Sequence, residues 1–201
     1  MDSRLRTLER VDATAEAGER AVETLLRVIG DDPHRDGLRD TPARVVKALL
    51  EMTAGYGESP AEILSTTFAE HSDELIVLRG IDFYSTCEHH LLPFHGVAHV
   101  GYLPDDRIIG LSKLARVVEL FARRLQVQER MTTQIATILM EELDPQGVGV
   151  VLRAEHLCMR MRGVEKQNSS VVTSAMLGTF RSHQETRQEF MTLVNGSGRS
   201  R

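Results

Sequence analysis

Along this chain the apolar positions recur at helical spacing, then at strand spacing, then alternate between the two. Residues 14–29, "TAEAGERAVETLLRVI", set Ala21, Leu25, Val28 and Ile29 on one stripe at helical spacing. Gly30 and "DDPHRDG" break it. "DTPARVVKALLEMTAGY" offers Thr41 as an N-cap and Pro42 as the first helical residue. Val45, Leu49 and Met52 form its apolar face, with Arg44 and Lys47 off that stripe. "ELIVLRGIDFY" (74–84) is rich in β-branched and aromatic residues and predicts a strand. "GVAHVGYL" (96–103) predicts a second, with Val97, His99 and Gly101 alternating against Ala98, Val100 and Tyr102. After the turn "LPDDRIIG", Leu111, Leu114, Val118, Phe121 and Leu125 predict a long helix from Ser112. Met131, Ile135, Ile138 and Leu139 predict another over about 130–142, stopped by "DPQG". Residues 148–164 and 169–180 read as strands, and 183–194 as a last amphipathic helix.

Helices, two strands, two helices, two strands and a helix predict an α+β fold with an antiparallel sheet. The expected organisation is an N-terminal helical region (1–60), a main domain (61–195) and a loose polar tail (196–201).

Composition narrows the class. The chain has 201 residues, enough to bury a real core, with 41% hydrophobic and 26% charged residues. No apolar run approaches the length of a membrane span, and "MDSRLRTLERVDATAEAGER" has neither an apolar stretch nor a cleavage pattern. The expectation is a cytoplasmic protein with no membrane partner. A net charge of −5 argues against nucleic-acid binding through the whole surface, and leaves room for a local basic pocket. Cys87 and Cys158 are a poor disulfide framework for such a compartment.

The chemistry gathers around those two cysteines. Cys87-x-x-His90, in "STCEHHLLPF", has a spacing that lets thiolate and imidazole converge on one metal ion; the plain alternative is a polar turn. In "EHLCMRMRG", strand alternation would put His156, Cys158, Arg160 and Arg162 on one face, with Leu157, Met159 and Met161 on the other. Cys158 joining Cys87 and His90 would give three protein ligands plus water, the pattern of a catalytic zinc. A closed structural site completed by His89 or His156 is the competing arrangement. As spare imidazoles, His89 and His156 suit proton transfer near neutral pH.

Arg44, Lys47, Lys113, Arg116, Arg160, Arg162 and Lys166 are each ordinary surface charges taken singly. Together they can clamp a polyphosphate, helped by the helix start at "GLSK". In "QVQER", Gln128 and Glu129 are either solvated or a grip for a base: a carboxylate accepts two parallel hydrogen bonds from an amidine-like edge such as that of guanine.

"TPARVVK", "STCEHHLLPFHGVAHVGYLP", "IGLSKLARVVELFARR", "QVQER", "EHLCMRMRGV", "TSAMLGTFR" and "TRQEF" follow one another through roughly residues 20–194. With these stretches in this order, the chain resembles the GTP cyclohydrolase I family. The resemblance implies the tunnelling fold, in which ββααββ units assemble into a closed barrel, and a toroidal homodecamer of two pentamers with sites between subunits. It implies Zn²⁺ held by Cys87, His90 and Cys158, and a proton-transfer pair, His89 and His156. Gln128 and Glu129 match guanine-holding positions, and Ser112 a serine near the ribose. Lys113, Arg116 and Arg162 match triphosphate-binding positions, and Arg44 and Lys47 those supplied by a neighbouring chain. The implied reaction turns GTP and water into formate and 7,8-dihydroneopterin triphosphate, starting with attack of metal-activated water at purine C8. His156 is expected to protonate N7, with Ser112 and His89 in later proton steps. Leu125 departs from the proline usual at its position, and the stretch around Lys166 also varies. The alternatives are a related purine- or nitrile-processing enzyme of the same fold, and a zinc-stabilised nucleotide-binding oligomer without turnover. No feedback partner protein is expected.

Overall fold

A computed structural model describes residues 14–69, 72 and 74–196. The expected tail, 196–201, lies outside the described residues apart from Gly196. The helices are α1 (Ala15–Val28), α2 (Thr41–Met52), α3 (Pro60–Leu64), α4 (Leu111–Ala122), α5 (Gln128–Leu143), α6 (Leu157–Arg160), α7 (Thr179–Ser182) and α8 (Gln184–Asn195). The strands are β1 (Thr67–Phe68), β2 (Ile76–Cys87), β3 (Pro93–Leu103), β4 (Ile108–Ile109), β5 (Leu125–Gln126), β6 (Gly147–His156) and β7 (Val171–Gly178). The chain divides into two compact units, one ending at Met52 and one beginning at Thr53.

In the first unit α1 lies against α2. Thr14 caps α1, its hydroxyl accepting from the Ala17 amide at 3.3 Å. The stripe read from the sequence is not the one that packs. Leu25, Val28 and Ile29 are 62%, 76% and 75% exposed. Gly18, Val22 and Leu26, at four-residue spacing, are partly buried instead. A Cβ on Gly18 would stand 3.0 Å from Val46, so the missing side chain sets how closely the helices approach.

The second unit is a five-stranded sheet in the order β5-β2-β3-β6-β7. Its pairs are antiparallel except β5 with β2. Strand alternation sorts its two faces. Phe83, Phe94, Ala98, Val100, Tyr102, Val148, Val150 and Leu152 face a core closed by α4 and α5 through Leu114, Val118, Met131, Ile135 and Leu139. On the opposite face a smaller cluster of Val151, Phe180, Phe190 and Val194 seats α7 and α8. Phe180 and Phe190 meet edge to face at 5.3 Å. A Cβ at Gly149 would stand 2.5 Å from the Phe180 ring, which is why that strand position carries none. The expected β-β-α-α-β-β order is present as β2, β3, α4, α5, β6 and β7, a mixed α+β unit.

One local expectation fails where it matters for the site. The sequence predicts a strand through 148–164, but β6 ends at His156 and the chain turns into α6. Both neighbouring ladders run out there. His156 pairs with Phe94 at the start of β3, and Ala154 with Val171 at the start of β7. Beyond them the backbone has no strand to bond and satisfies itself with a helical turn. His156, Cys158, Arg160 and Arg162 therefore do not share a strand face. Helix α5 also begins earlier than read, at Gln128, so Gln128 and Glu129 occupy its first turn rather than a connecting segment.

Candidate active site

Two strand ends meet at the site. Cys87 is the last residue of β2, and residues 88–92 turn the chain into β3. The turn is closed by the Cys87 amide donating to the Leu92 carbonyl at 2.9 Å. The Cys87 carbonyl accepts from His90 at 3.3 Å and Leu91 at 2.9 Å. Leu91 is in the left-handed region, φ +55°, which lets so short a loop reverse. The turn is also moored to β5: the Glu88 amide donates to the Gln126 carbonyl at 3.0 Å, and the Glu88 carboxylate pairs with Arg130. Arg130 in turn donates to the Gln126 side chain and the Leu125 carbonyl.

This turn brings the His90 ring beside Cys87, Sγ to Nδ1 3.8 Å. From the other strand end, α6 carries Cys158 to the same place. The ligand atoms of Cys87, His90 and Cys158 all lie within 4.8 Å of one another. Around a tetrahedral zinc with ordinary bond lengths, a sulfur–nitrogen edge is about 3.6 Å, so the observed spacing needs little adjustment. Cys87 is 6% exposed, Cys158 is partly buried and His90 faces outward. Burial pushes the Cys158 thiol above its ordinary value; the adjacent Cys87 adds to this, and Arg162 opposes it. A divalent cation between the two sulfurs would hold both as thiolates. The donor set of two thiols and one imidazole therefore fits a metal.

Two residues before Cys158, His156 closes β6. Its ring stacks on Phe94, centroids 4.6 Å apart and 4° from parallel. Its Nε2 lies 2.8 Å from Gln128 Oε1. Burial lowers its pKa, and Glu129 pulls the other way. His89 differs: its side chain is 64% exposed and Nε2 lies 3.8 Å from the Glu88 carboxylate.

The remaining sequence candidates divide sharply. Glu129 is exposed in the first turn of α5. Gln128 beside it is 1% exposed, and its side-chain amide is spent on the protein: Nε2 has the Leu152 and Val171 carbonyls and Thr173 Oγ1 within hydrogen-bond distance for its two hydrogens, and Oε1 faces His156. The pair expected to grip a base together is thus split between surface and core. Arg162 is exposed and donates to the Cys158 carbonyl at 3.4 Å. Arg160 is tied to Glu155 at 2.5 Å. Ser112, Lys113 and Arg116 sit in the first turns of α4, Ser112 and Arg116 exposed. Among the described residues no hydrogen bond or ion pair joins those three to the cysteines. In the first unit, Arg44 pairs with Asp40 at 3.1 Å and Lys47 with Glu51 at 4.0 Å, all on the surface. Phe94, Thr173 and the Glu88–Arg130 pair were not singled out from the sequence. Glu88 and Phe94 had a signal, since both lie inside "STCEHHLLPF". Thr173 had none, because only sheet register places it under Gln128.

No helix among the described residues is long and apolar enough to cross a membrane. A GTP cyclohydrolase 1 from Synechococcus sp. (strain JA-2-3B'a(2-13)) is 58% identical over 87% of this chain and 76% of its own length. The GTP cyclohydrolase 1 of Thermobifida fusca (strain YX) is 55% identical over 89% of this chain and 87% of its own. A crystal structure titled as the archaeosine synthase QueF-Like in the apo form gives a TM-score of 0.45 at 16% identity, over 54% of this chain and 97% of that one. The sequence profile described as GTP cyclohydrolase I matches residues 18–195, and by that match and those identities the chain belongs to the GTP cyclohydrolase I family.

Proposed function

We propose that this protein converts GTP and water into formate and 7,8-dihydroneopterin triphosphate. The observation that carries the reading is the convergence of Cys87, His90 and Cys158, with an oriented imidazole, His156, two residues from Cys158. Family membership supports GTP as the substrate.

Cys87, His90 and Cys158 would hold a zinc ion with three protein ligands. Bound there, zinc would supply the Lewis acidity that makes a water nucleophilic near neutral pH, for attack at purine C8. His156 gives a proton to N7, and its stacking on Phe94 and its bond to Gln128 hold the ring in one orientation. Glu129 accepts two hydrogen bonds from the guanine edge and so sets which carbon meets the water. Lys113, Arg116 and Arg162 hold the triphosphate, and Ser112 lies by the ribose. His89, solvated on the turn, serves the later proton steps with Ser112. Arg44 and Lys47 reach the phosphates of a neighbouring subunit's site, exchanging Asp40 and Glu51 for the substrate.

This reading includes a tunnelling-fold barrel and a toroidal homodecamer of two pentamers, in the cytoplasm. With sites between subunits, the phosphate-binding set need not gather within one chain.

The test is mass spectrometry of products after incubation with GTP, with and without a chelator. Formate together with dihydroneopterin triphosphate, lost on chelation and restored by zinc, is the expected result. Intact GTP with the metal-replete, folded protein would overturn it.

A further inference from the structure

The buried amide of Gln128 contains information about His156 that the metal group does not. An amide side chain offers two N–H donors and one carbonyl acceptor. Around Gln128 Nε2 stand three oxygens: the Leu152 carbonyl at 3.2 Å, the Val171 carbonyl at 3.1 Å and Thr173 Oγ1 at 3.1 Å. Two of these are backbone carbonyls, which can only accept. Reversing the amide would set its oxygen against both. The orientation is therefore fixed by its surroundings, and Oε1 must point at His156.

The hydroxyls beneath it agree. Thr132 donates to the Gln128 carbonyl at 2.7 Å. That leaves Thr173 to donate to Thr132 across 2.6 Å, freeing its lone pairs for the Gln128 amide. Every hydrogen in this group of side chains then runs one way. The 2.8 Å contact to His156 completes it: an acceptor oxygen faces Nε2, so Nε2 carries the hydrogen. Phe94, parallel to the imidazole, holds the plane of the ring.

We infer that Gln128 is a positioning residue for His156: it keeps the hydrogen of the neutral ring on Nε2, so that Nδ1 is the nitrogen that takes up a proton, forming the imidazolium, and then gives that proton to the substrate. This deepens the proposed function, resting on it for the identity of the reaction, and it gives Gln128 a role other than gripping the guanine base. Glu129 then grips the base without it.

Selective ¹⁵N-histidine labelling tests the tautomer on the whole protein, read at a pH where the imidazole is neutral and assigned by its loss in His156→Ala. Wild type should show a pyrrole-type Nε2, a pyridine-type Nδ1, and an Nε2–H protected from exchange with water. In Gln128→Met that protection should disappear. With GTP, the same variant should lose roughly 10- to 100-fold in kcat with KM little changed, a part of the 10²–10⁴-fold that a positioned acid contributes. In a His156→Ala background Gln128→Met should cost nothing more, because the two act as a unit. Thr173→Val, which keeps both carbonyl acceptors, should move the same Nε2–H signal with a smaller loss of kcat, and it serves if Gln128→Met fails to fold. A proton on Nδ1 in wild type, or an Nε2–H signal unmoved by both variants, would overturn the inference. So would a rise in KM at constant kcat, which would return Gln128 to the base. Absence of any GTP turnover by wild type would strike the proposed function alone, since the NMR result stands without it.

Discussion

The two strand ends that build the site are made on different plans. The end of β2 reverses at once through a left-handed Leu91, and it spends its short turn on two metal-ligand candidates and an exposed His89. The end of β6 has no partner left on either side, so it coils, and it spends that coil on Cys158. His156, the last residue of β6, is held on three sides by Phe94, Gln128 and its own strand pairing. His89 is held by little. Two histidines that look equivalent in sequence are thus unequal in order: the His156 ring is fixed by its neighbours, and the His89 side chain is 64% exposed.

The largest effect should come from breaking what the two ends share. Cys158→Ala and His90→Ala should each release metal and abolish formate production, with the chain still folded. Metal analysis beside a folding measurement checks this, and unfolding of both variants would make the group structural instead. The next effect separates the histidines. His156→Ala should bind zinc and GTP yet lose about 10²–10⁴-fold in ring opening, while His89→Ala should lose less at that step; single-turnover measurement of formate distinguishes them. Equal losses would erase the comparison. Third, Phe94→Ala removes both a core side chain and the surface under His156. It should cost about 3–5 kcal/mol in denaturant unfolding, more than any change on the 88–92 turn.

Much of this was legible because the signals were periodic. Strand β3 follows from alternation, β2 from its β-branched and aromatic content, and helices α4, α5 and α8 from their amphipathic spacing, although α4 stops at Ala122 and Leu125, read as part of it, lies in β5. The Cys87–His90 spacing and the place of Cys158 also pointed to a shared metal. Three features were not legible. The packed face of α1 is set by Gly18, whose contribution is an absence, whereas hydropathy favoured Leu25, Val28 and Ile29. The change from β6 to α6 depends on where β3 and β7 begin, which is tertiary information. Gln128 reads like its exposed neighbour Glu129, and only the Leu152 and Val171 carbonyls decide that it is buried.

Leu125 falls between these cases. As a departure from the family's proline it was visible, but its reason was not. Its backbone N–H donates to the Tyr56 hydroxyl at 3.1 Å, a bond that proline cannot make. Tyr56→Phe should therefore cost about 0.5–1.5 kcal/mol, a small effect, visible by denaturant unfolding.

The smallest effect belongs to the first unit and serves as a control on the rest. Arg35, with the Asp32 amide, holds the Asp31 carboxyl down to about 2 from 3.8. A lowered pKa stabilises the folded state above the ordinary value, and that contribution is lost as pH falls from about 3.8 through about 2. A ¹³C titration of the Asp31 carboxyl should show this, and Arg35→Met should return it toward 3.8.

Cys87, His90 and Cys158 are expected to hold one metal ion between the two strand ends, with a fourth position left open. X-ray absorption at the zinc edge, on protein loaded with one zinc per chain, tests that most directly. Two sulfurs at about 2.3 Å, one imidazole nitrogen at about 2.0–2.1 Å and one light atom from solvent are the expected shell. Two imidazoles in that shell would mean that His89 or His156 closes the site, and the metal would then be structural.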